Sequence, residues 1–312
     1  MGFCLYLKAM NRHHFFNRFA SNWKETFKKN AITIKTGEFI LPDELYLCPI
    51  SLQLYSVESL KNEELTVEHV PPKSLGGKEL VLVAKEVNNT DGHTSDKDLL
   101  LFFQTKNFLE HGKRLNAKIS AESLDMKGIT TEFSLQKIKA SEDNKMNIKF
   151  MTSQHNVKAM EFKGLFHNWN GLPFKVSGQM STKLKVKTLL KCAYLTAFSR
   201  IGYDLLYGRS GYKSNTYGVI LDILNNRTNE QAFPIICLEG HAPLENTDLG
   251  IINTPSHLQA LVVNLSFKLD NHLHTYVVFL PHPDSADLEN LKNIKSLSGN
   301  INFNISSITC KI

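Results

Sequence analysis

The sequence has no long apolar run and few cysteines, and both features limit the classes of protein to which it can belong. No uninterrupted apolar stretch approaches the ~20 residues that span a bilayer. Its five cysteines form an odd set without regular spacing, which argues against a disulfide framework and favours a reducing compartment. The N-terminal segment carries internal charges and lacks a small-residue cleavage site, so we expect no signal peptide. These absences predict a cytoplasmic protein that does not enter a membrane.

The rest of the composition is that of a folded protein with a mild excess of positive charge. Hydrophobic residues make up 42% and charged residues 21% of the 312 residues, which is not typical of a disordered chain. A chain of this length can bury a full core, and its length favours two domains over one. The net charge of +6 permits a polyanionic partner without requiring one.

The distribution of apolar, basic and turn-forming residues divides the chain into three regions. Residues 1–40 are basic and carry aromatic residues at near-helical spacing, which predicts an amphipathic helical extension. Its basic face fits either a solvated surface or a nucleic-acid contact. Residues 41–110 hold the candidate site. Residues 111–312 form a larger mixed region that is rich in predicted strands and includes a strong helical pattern at 183–207. The sequence therefore predicts an α+β fold.

The candidate site contains an acid and a histidine side by side, in the stretch LTVEHVPPKSLGGKELVLVAKEVNNTDGHTSDKD at residues 65–98. Phosphodiester hydrolysis needs a base that deprotonates water and a positive charge that stabilises the phosphate. Histidine titrates near neutral pH and can be the base, and a divalent metal can supply the charge. Because adjacent strand residues point to opposite faces, Glu68 and His69 need an irregular backbone to share one site. The proline and glycine pairs that follow, Pro71-Pro72 and Gly76-Gly77, predict that irregularity.

These residues resemble the HNH endonucleases, a family of ββα-metal nucleases. EHVPPKSLGG followed by VNNTDGH matches the family's order of an acid–histidine pair, a proline, a glycine pair, an apolar strand and an asparagine. The resemblance covers Cys48 to Leu109 and implies a nuclease domain at 41–110. It further implies His69 as the general base, with Glu68 and Asn88 as ligands of Mg²⁺, for which Mn²⁺ can substitute.

The resemblance leaves the remaining metal ligand open between two residues. Asn89 and His93 lie four positions apart, so they share one face of a helix, and either can complete the metal site or contact phosphate. His93 is the preferred ligand, because imidazole is the commoner one. The cluster Asn88-Asn89-Thr90 is also typical of a plain helix N-cap, a role that is compatible with metal ligation.

The sequence departs from the HNH pattern at two points. Many relatives hold a structural zinc between two CxxC pairs, but Cys48-Pro-Ile-Ser51 and Ala84-Lys-Glu-Val87 retain one thiolate of the four. Structural zinc needs four good ligands, so we expect none, with Ala84 and Val87 making apolar contacts where the ion would lie. At the second point, Glu79 stands where many relatives have an asparagine that helps to orient the base.

Basic residues outside the motif predict where a nucleic acid binds. From Lys175 to Lys191 the chain carries lysines and no acid. Such a run can follow a phosphate backbone, and a solvated helix face explains it equally well. The predicted nucleic-acid contacts are Lys73, Lys113, Arg114, Lys183, Lys185 and Lys187.

Three functional hypotheses follow from the resemblance. The first is a cytoplasmic, Mg²⁺-dependent endonuclease that cuts DNA in restriction or anti-phage defence. The second is a degenerate HNH module that binds nucleic acid without cutting it, which the change at Glu79 and the lost cysteines favour. The third is an effector that cuts only when a partner subunit or ligand engages the C-terminal region. In each case residues 111–312 are expected to serve recognition, homo-oligomerisation or binding of a partner subunit, by analogy alone.

Overall fold

The computed structural model is a mixed helix-and-strand protein, so the predicted α+β class is confirmed at that level. The residues that it describes are 2–29, 44–121, 126–137, 146–151, 175–207, 216–283, 288–298 and 303–308. Within them, no helix is long and apolar enough to cross a membrane.

The elements alternate along the chain rather than segregating by type. The helices are α1 (Gly2–Lys29), α2 (Glu58–Lys61), α3 (Lys85–His111), α4 (Val186–Ile201), α5 (Asp204–Tyr207), α6 (Thr216–Leu224) and α7 (Glu289–Ser296). The strands are β1 (Tyr46–Leu47), β2 (Leu54–Tyr55), β3 (Leu65–Val70), β4 (Lys78–Ala84), β5 (Leu115–Ala121), β6 (Met126–Lys137), β7 (Met146–Met151), β8 (Lys175–Gly178), β9 (Ile236–Glu239), β10 (Leu249–Thr254), β11 (Ala260–Leu269), β12 (His272–Pro281) and β13 (Asn304–Ser307).

The chain forms two compact units, and one of them is discontinuous in sequence. The first unit contains residues 1–96 and 185–312, and the second contains residues 97–184. This division does not follow the three consecutive regions expected from the sequence. The reason is α4, whose contacts with β3 and β4 join the candidate site to the C-terminal strands.

Helix α4 is the central element of the first unit. Every residue from Thr188 to Ser199 is buried, including Leu189, Leu190, Tyr194 and Phe198. A helix that is apolar on all sides is stable only when other elements cover all of it. Here β3 and β4 contact α4, as do β10, β11 and β12. The apolar periodicity at 183–207 therefore marked a central helix rather than a surface one.

The largest sheet of the first unit has five antiparallel strands in the order β13-β10-β11-β12-β9. Its longest pairing is the hairpin of β11 and β12, in register from Ala260–Pro281 to Leu269–His272. The connecting residues Asp270 and Asn271 both have positive φ angles, 52° and 64°. Aspartate and asparagine tolerate this conformation, which matches the twist of a two-residue hairpin.

Helix α1 confirms the amphipathic helix predicted for the N-terminal region. Phe16, Phe19 and Trp23 are buried, and α1 contacts β1 and β4. Lys29 at its end makes an ion pair of 2.8 Å with Asp204. The aromatic face thus docks on the first unit, and residues 30–40 of the predicted extension lie outside the described part of the chain.

The second unit contains the end of α3 and a four-stranded antiparallel sheet in the order β7-β6-β5-β8. Leu99, Phe103 and Phe108 are buried hydrophobic residues on this part of the helix. Leu109, an apolar residue of the same helix, is instead 60% exposed. The strand-rich pattern that the sequence showed after residue 115 is therefore confirmed as a sheet within this unit.

Candidate functional site

The predicted site is built on two antiparallel strands followed directly by a helix. Strands β3 and β4 pair from Leu65–Ala84 to Val70–Lys78, and α3 begins at the next residue, Lys85. The register shifts between Glu68 and His69, so that Leu80 is an extra residue opposite them. A bulge of this kind re-aims neighbouring side chains. The extra residue lies on β4, and Glu68 and His69 have different surroundings, so the irregularity expected to bring these two side chains into one site is not observed within β3.

The proline and glycine pairs form a tight connection between the two strands. A 3₁₀ turn spans Lys73–Leu75, and Gly76 ends it with a φ of +81°. Gly77 lies against the carbonyl oxygen of Pro71, so close that any Cβ at this position would overlap it. Both glycines are therefore required by the backbone, and the turn leaves Lys73 exposed beside the end of β3.

Glu68 lies in a buried ion pair with Lys191 of α4. The distance from its Oε1 to the lysine Nζ is 2.6 Å, and the two side chains are 7% and 4% exposed. Burying either charge alone would be costly, because it would lose its hydration without compensation. The basic run that ends at Lys191 was interpreted as a possible contact with a phosphate backbone. That interpretation is wrong for Lys191, because its ammonium group faces Glu68 inside the first unit.

His69 faces the opposite strand at the solvent boundary. Its Nε2 lies 3.7 Å from Oε1 of Glu79, and the two side chains are 27% and 35% exposed. The bulge creates this pair, because it places Glu79 directly across from His69. The acid that stands where the HNH pattern has an asparagine is thus within ion-pair distance of the predicted base.

Asn88 returns from the first turn of α3 to the face of β3 that carries Glu68. Its Nδ2 donates a hydrogen bond of 2.9 Å to Oγ1 of Thr66, which is two residues before Glu68 on the strand. Because residues two apart on a strand share a face, Asn88 approaches the Glu68 side.

The N-cap interpretation of Asn88-Asn89-Thr90 is wrong. Helix α3 begins at Lys85, and no loop separates it from β4. The backbone N–H of Lys85 donates to the carbonyl of Glu64, at 2.8 Å, so the helix starts before the polar cluster. Asn89 is exposed. His93 lies within α3, but its side chain falls outside what the structure describes.

The side chains at this site offer the type of ligand that a hard divalent ion prefers. Their charge does not favour such an ion. Carboxylate and amide oxygens are the ligands that Mg²⁺ prefers, and Glu68 and Asn88 offer both on one face of β3. The Lys191 ammonium already neutralises the Glu68 carboxylate. Among the side chains described, no three His, Cys, Asp or Glu residues cluster as metal ligands. An ion bound through Glu68 must share that carboxylate with Lys191 or displace the ammonium group.

The two segments that correspond to the zinc-binding pairs of the HNH pattern are neighbours. The Cys48 Sγ accepts the backbone N–H of Ala84 at 3.4 Å and that of Ser51 at 3.5 Å. Cys48 and Ala84 are both buried. The resemblance requires these two segments to meet, although they lie far apart in the sequence, and the backbone brings them together around a single thiol.

Buried tyrosines hold this Cys48 region. The hydroxyl of Tyr194 on α4 donates to the carbonyl of Pro49, and that of Tyr46 donates to the carbonyl of Leu82 on β4. Burial raises the pKa of both hydroxyls well above the usual value, so both remain protonated donors at neutral pH. Helix α4 thus has two roles at the site. Its Tyr194 holds the Cys48 region next to the strands, and its Lys191 pairs with Glu68.

The thiol of Cys192, next to Lys191 on α4, is an unreactive neighbour. Its pKa is raised strongly by burial, with Lys191 opposing the shift and Asp96 and Glu68 adding to it. A protonated, buried thiol is neither a nucleophile nor a good metal ligand. Asp96 of α3 acts on the same thiol as Glu68 and Lys191, so its charge lies near that pair.

The predicted nucleic-acid contacts fall into both units. Lys73, Lys185 and Lys187 belong to the first, and Lys113, Arg114 and Lys183 belong to the second. Four of the six side chains are exposed: Lys73, Arg114, Lys183 and Lys185. Lys187 is half-buried and donates a hydrogen bond of 2.7 Å to Oδ1 of Asn226.

Sequence reasoning missed Lys191 as a neighbour of the site. A lone lysine in an otherwise apolar helical repeat was the available signal, because such a residue needs a buried acid as partner. Neither family models, nor curated proteins, nor solved structures gave a match to this chain. The site is therefore interpreted on its own geometry and on the resemblance of its motif.

Proposed function

We propose that this chain is a metal-dependent endonuclease of the HNH type that hydrolyses phosphodiester bonds in DNA. The observation that carries the proposal is the antiparallel pair β3–β4 followed directly by α3, with His69 at the bulge and Asn88 reaching back to β3. The meeting of Cys48 and Ala84 supports it independently, because the motif alone predicted that contact.

In this proposal His69 is the general base. Its Nε2 atom faces Glu79, so Nδ1 is the atom left to accept a proton from the attacking water. The Glu79 carboxylate orients the ring and stabilises the imidazolium ion once the proton has been taken, which is the usual task of an acid behind a catalytic histidine. Lys73 on the adjoining turn contacts a phosphate of the strand.

A divalent ion would complete the site. When bound, Mg²⁺ would stabilise the negative charge that develops on the phosphate and the leaving oxygen. Glu68, Asn88 and His93 are the residues that would hold it. Lys191 limits how much negative charge Glu68 presents to such an ion.

The proposal is tested by cleavage of supercoiled plasmid with Mg²⁺, with Mn²⁺ and with EDTA. We expect metal-dependent nicking or linearisation that falls by about a hundredfold to ten-thousandfold in His69→Ala, because the variant lacks only the base. His257→Ala removes an exposed histidine of the same unit and is expected to cut like the wild type. Full activity in His69→Ala would refute the assignment of the base.

The buried Glu68–Lys191 pair favours a second candidate, a module that binds DNA without cutting it. A carboxylate that is fully engaged by an internal ammonium group has no need of a metal. In that case a gel-shift assay detects DNA binding, while plasmid remains intact with every metal and His69→Ala changes nothing. The same two assays therefore separate the two candidates.

A further inference from the structure

The second unit contains a cavity that none of the functions above uses. Its volume is about 640 Å³, and residues of α3, β5 and β8 line it. Small-molecule sites in proteins commonly enclose roughly 300–1,000 Å³, so this volume is large enough for a nucleotide. All of the lining residues belong to the second unit.

A single face of α3 supplies part of the cavity lining. Lys97, Leu100, Leu101 and Gln104 line it, at the spacing that brings residues to one side of a helix. The two leucines are half-buried, whereas the lysine is exposed. The helix therefore presents an apolar surface that has an ammonium group at one end and an amide at the other.

The sheet supplies further lining residues. Asn116 and Lys118 lie two residues apart on β5 and so share a face of the strand. Ser177 of β8 pairs with Lys118 in register, and its hydroxyl donates to the carbonyl of Lys118 at 3.4 Å. The amide of Gln179 adds a further donor and acceptor just beyond β8.

The described side chains that line the cavity carry a net positive charge. None of the described side chains that line it is acidic. In the part of the chain that the structure describes, Lys97 and Lys118 make no ion pair, whereas Lys106 on the same helix lies 3.8 Å from Glu110. Two ammonium groups that form no ion pair with the described carboxylates favour an anionic ligand.

The side chains that line the cavity favour some kinds of anion over others. The leucines among the described lining residues are Leu100, Leu101 and Leu115. They are too few to enclose a fatty acyl chain, and a bare phosphate would not use the apolar surface that they form. A nucleobase has flat apolar faces, and its edges carry donors and acceptors that asparagine and glutamine side chains recognise. Lysine binds phosphate as a point charge. We propose that this cavity binds a nucleoside phosphate, with Lys97 and Lys118 on the phosphate and the amides on the base.

The nucleoside phosphate has two sources, a segment of a single DNA strand or a free mononucleotide. The strand source rests on the proposed function, because the strand would be the substrate. The mononucleotide source does not. Binding is therefore measured in full-length His69→Ala with EDTA present, so that the outcome does not depend on cleavage. The probes are a short fluorescein-labelled single-stranded DNA, followed by anisotropy, and dAMP, followed by calorimetry.

Two changes remove the site in different ways. The pair Lys97→Ala and Lys118→Ala removes both ammonium groups, and Ser177→Trp fills the cavity while keeping them. The matched control is Lys61→Ala with Lys292→Ala, which removes the same charge from two exposed lysines of the first unit. Circular dichroism verifies the fold of each variant.

We expect the lysine pair and Ser177→Trp each to weaken binding about tenfold or more, and the control to leave it unchanged. For the strand, losing two phosphate contacts also lowers the slope of log Kd against log salt by roughly 1.4. Loss of strand binding identifies the strand as the source, and loss of dAMP binding alone identifies the free nucleotide. The proposal is overturned if neither probe binds, or if the control weakens binding as much as the cavity variants do.

Discussion

Two acid–base pairs on consecutive residues of β3 lie in different surroundings. Glu68 and Lys191 are 2.6 Å apart with side chains 7% and 4% exposed, whereas His69 and Glu79 are 3.7 Å apart and 27% and 35% exposed. The buried pair is closed to solvent, so its charges mainly satisfy each other. The open pair has access to water, which a base must reach. Because adjacent residues of a strand point to opposite faces, one strand serves both purposes, and the bulge in β4 sets Glu79 across from His69.

The largest effect on stability is expected from removing one partner of the buried Glu68–Lys191 pair. Lys191→Met removes the ammonium group that pairs with the buried Glu68 carboxylate and should lower the free energy of unfolding by about 3–5 kcal/mol, measured by urea denaturation. Glu68→Leu combined with Lys191→Met should recover most of this loss, because an apolar pair needs no compensation. A double variant that is as unstable as Lys191→Met would show that packing, not charge, makes this region stable.

A second test is whether the buried pair competes with a divalent ion. Lys191→Gln removes a positive charge next to Glu68 and keeps a hydrogen-bond donor. Charges a few ångströms apart interact by about 1–4 kcal/mol in water or near a protein surface, so Mn²⁺ should bind this variant at least tenfold more tightly. Titration calorimetry measures the affinity. If Lys191→Gln and wild type bind Mn²⁺ equally, the ion does not use Glu68.

The open pair is expected to affect catalysis and not stability. Glu79→Gln should lower kcat about tenfold, the equivalent of about 1.4 kcal/mol, with KM and the urea midpoint unchanged. The matched control is Glu63→Gln, since Glu63 also lies 3.7 Å from its partner, Lys85, but away from His69. Glu79→Asn carries the residue that is usual in the HNH pattern and should restore kcat. A fall in stability without a change in kcat would make Glu79 a structural residue.

The smallest effect is expected at a fully solvated pair. Lys61 lies 2.8 Å from Glu58, but the two side chains are 67% and 62% exposed. Lys61→Met should change the free energy of unfolding by less than about 1 kcal/mol. Because its ion-pair distance is close to that of Glu68 and Lys191, an equally large loss here would mean that burial does not distinguish the two pairs.

The local order of elements was predictable from the sequence, because it depends on neighbouring residues. The apolar run of β4, the prolines and glycines before it and the helical spacing after it fixed two strands and a helix around His69. The start of α3 was less predictable. The asparagine cluster marked a helix start, but the chain passes from Ala84 straight into the helix, since a backbone bond to Glu64 takes the place of a side-chain cap.

The partners of the site were not predictable, because they depend on distant pairing. Lys191 reaches Glu68 only through the packing of α4 on β3 and β4. Glu79 faces His69 only because the bulge shifts the register, and no local pattern encodes that shift. Spacing therefore indicated which residues carry the chemistry, and tertiary contacts determined which charges surround them.

The discontinuous first unit also has a consequence for synthesis of the chain. Glu68 leaves the ribosome well before Lys191, and at about 5–20 residues per second the interval is roughly 6–25 seconds. During that time the strands around His69 lack α4, and the carboxylate lacks its counter-charge. The residues of the second unit are made within this interval and can fold while the first unit waits. A nascent chain therefore carries the complete motif for some seconds before it can form the site.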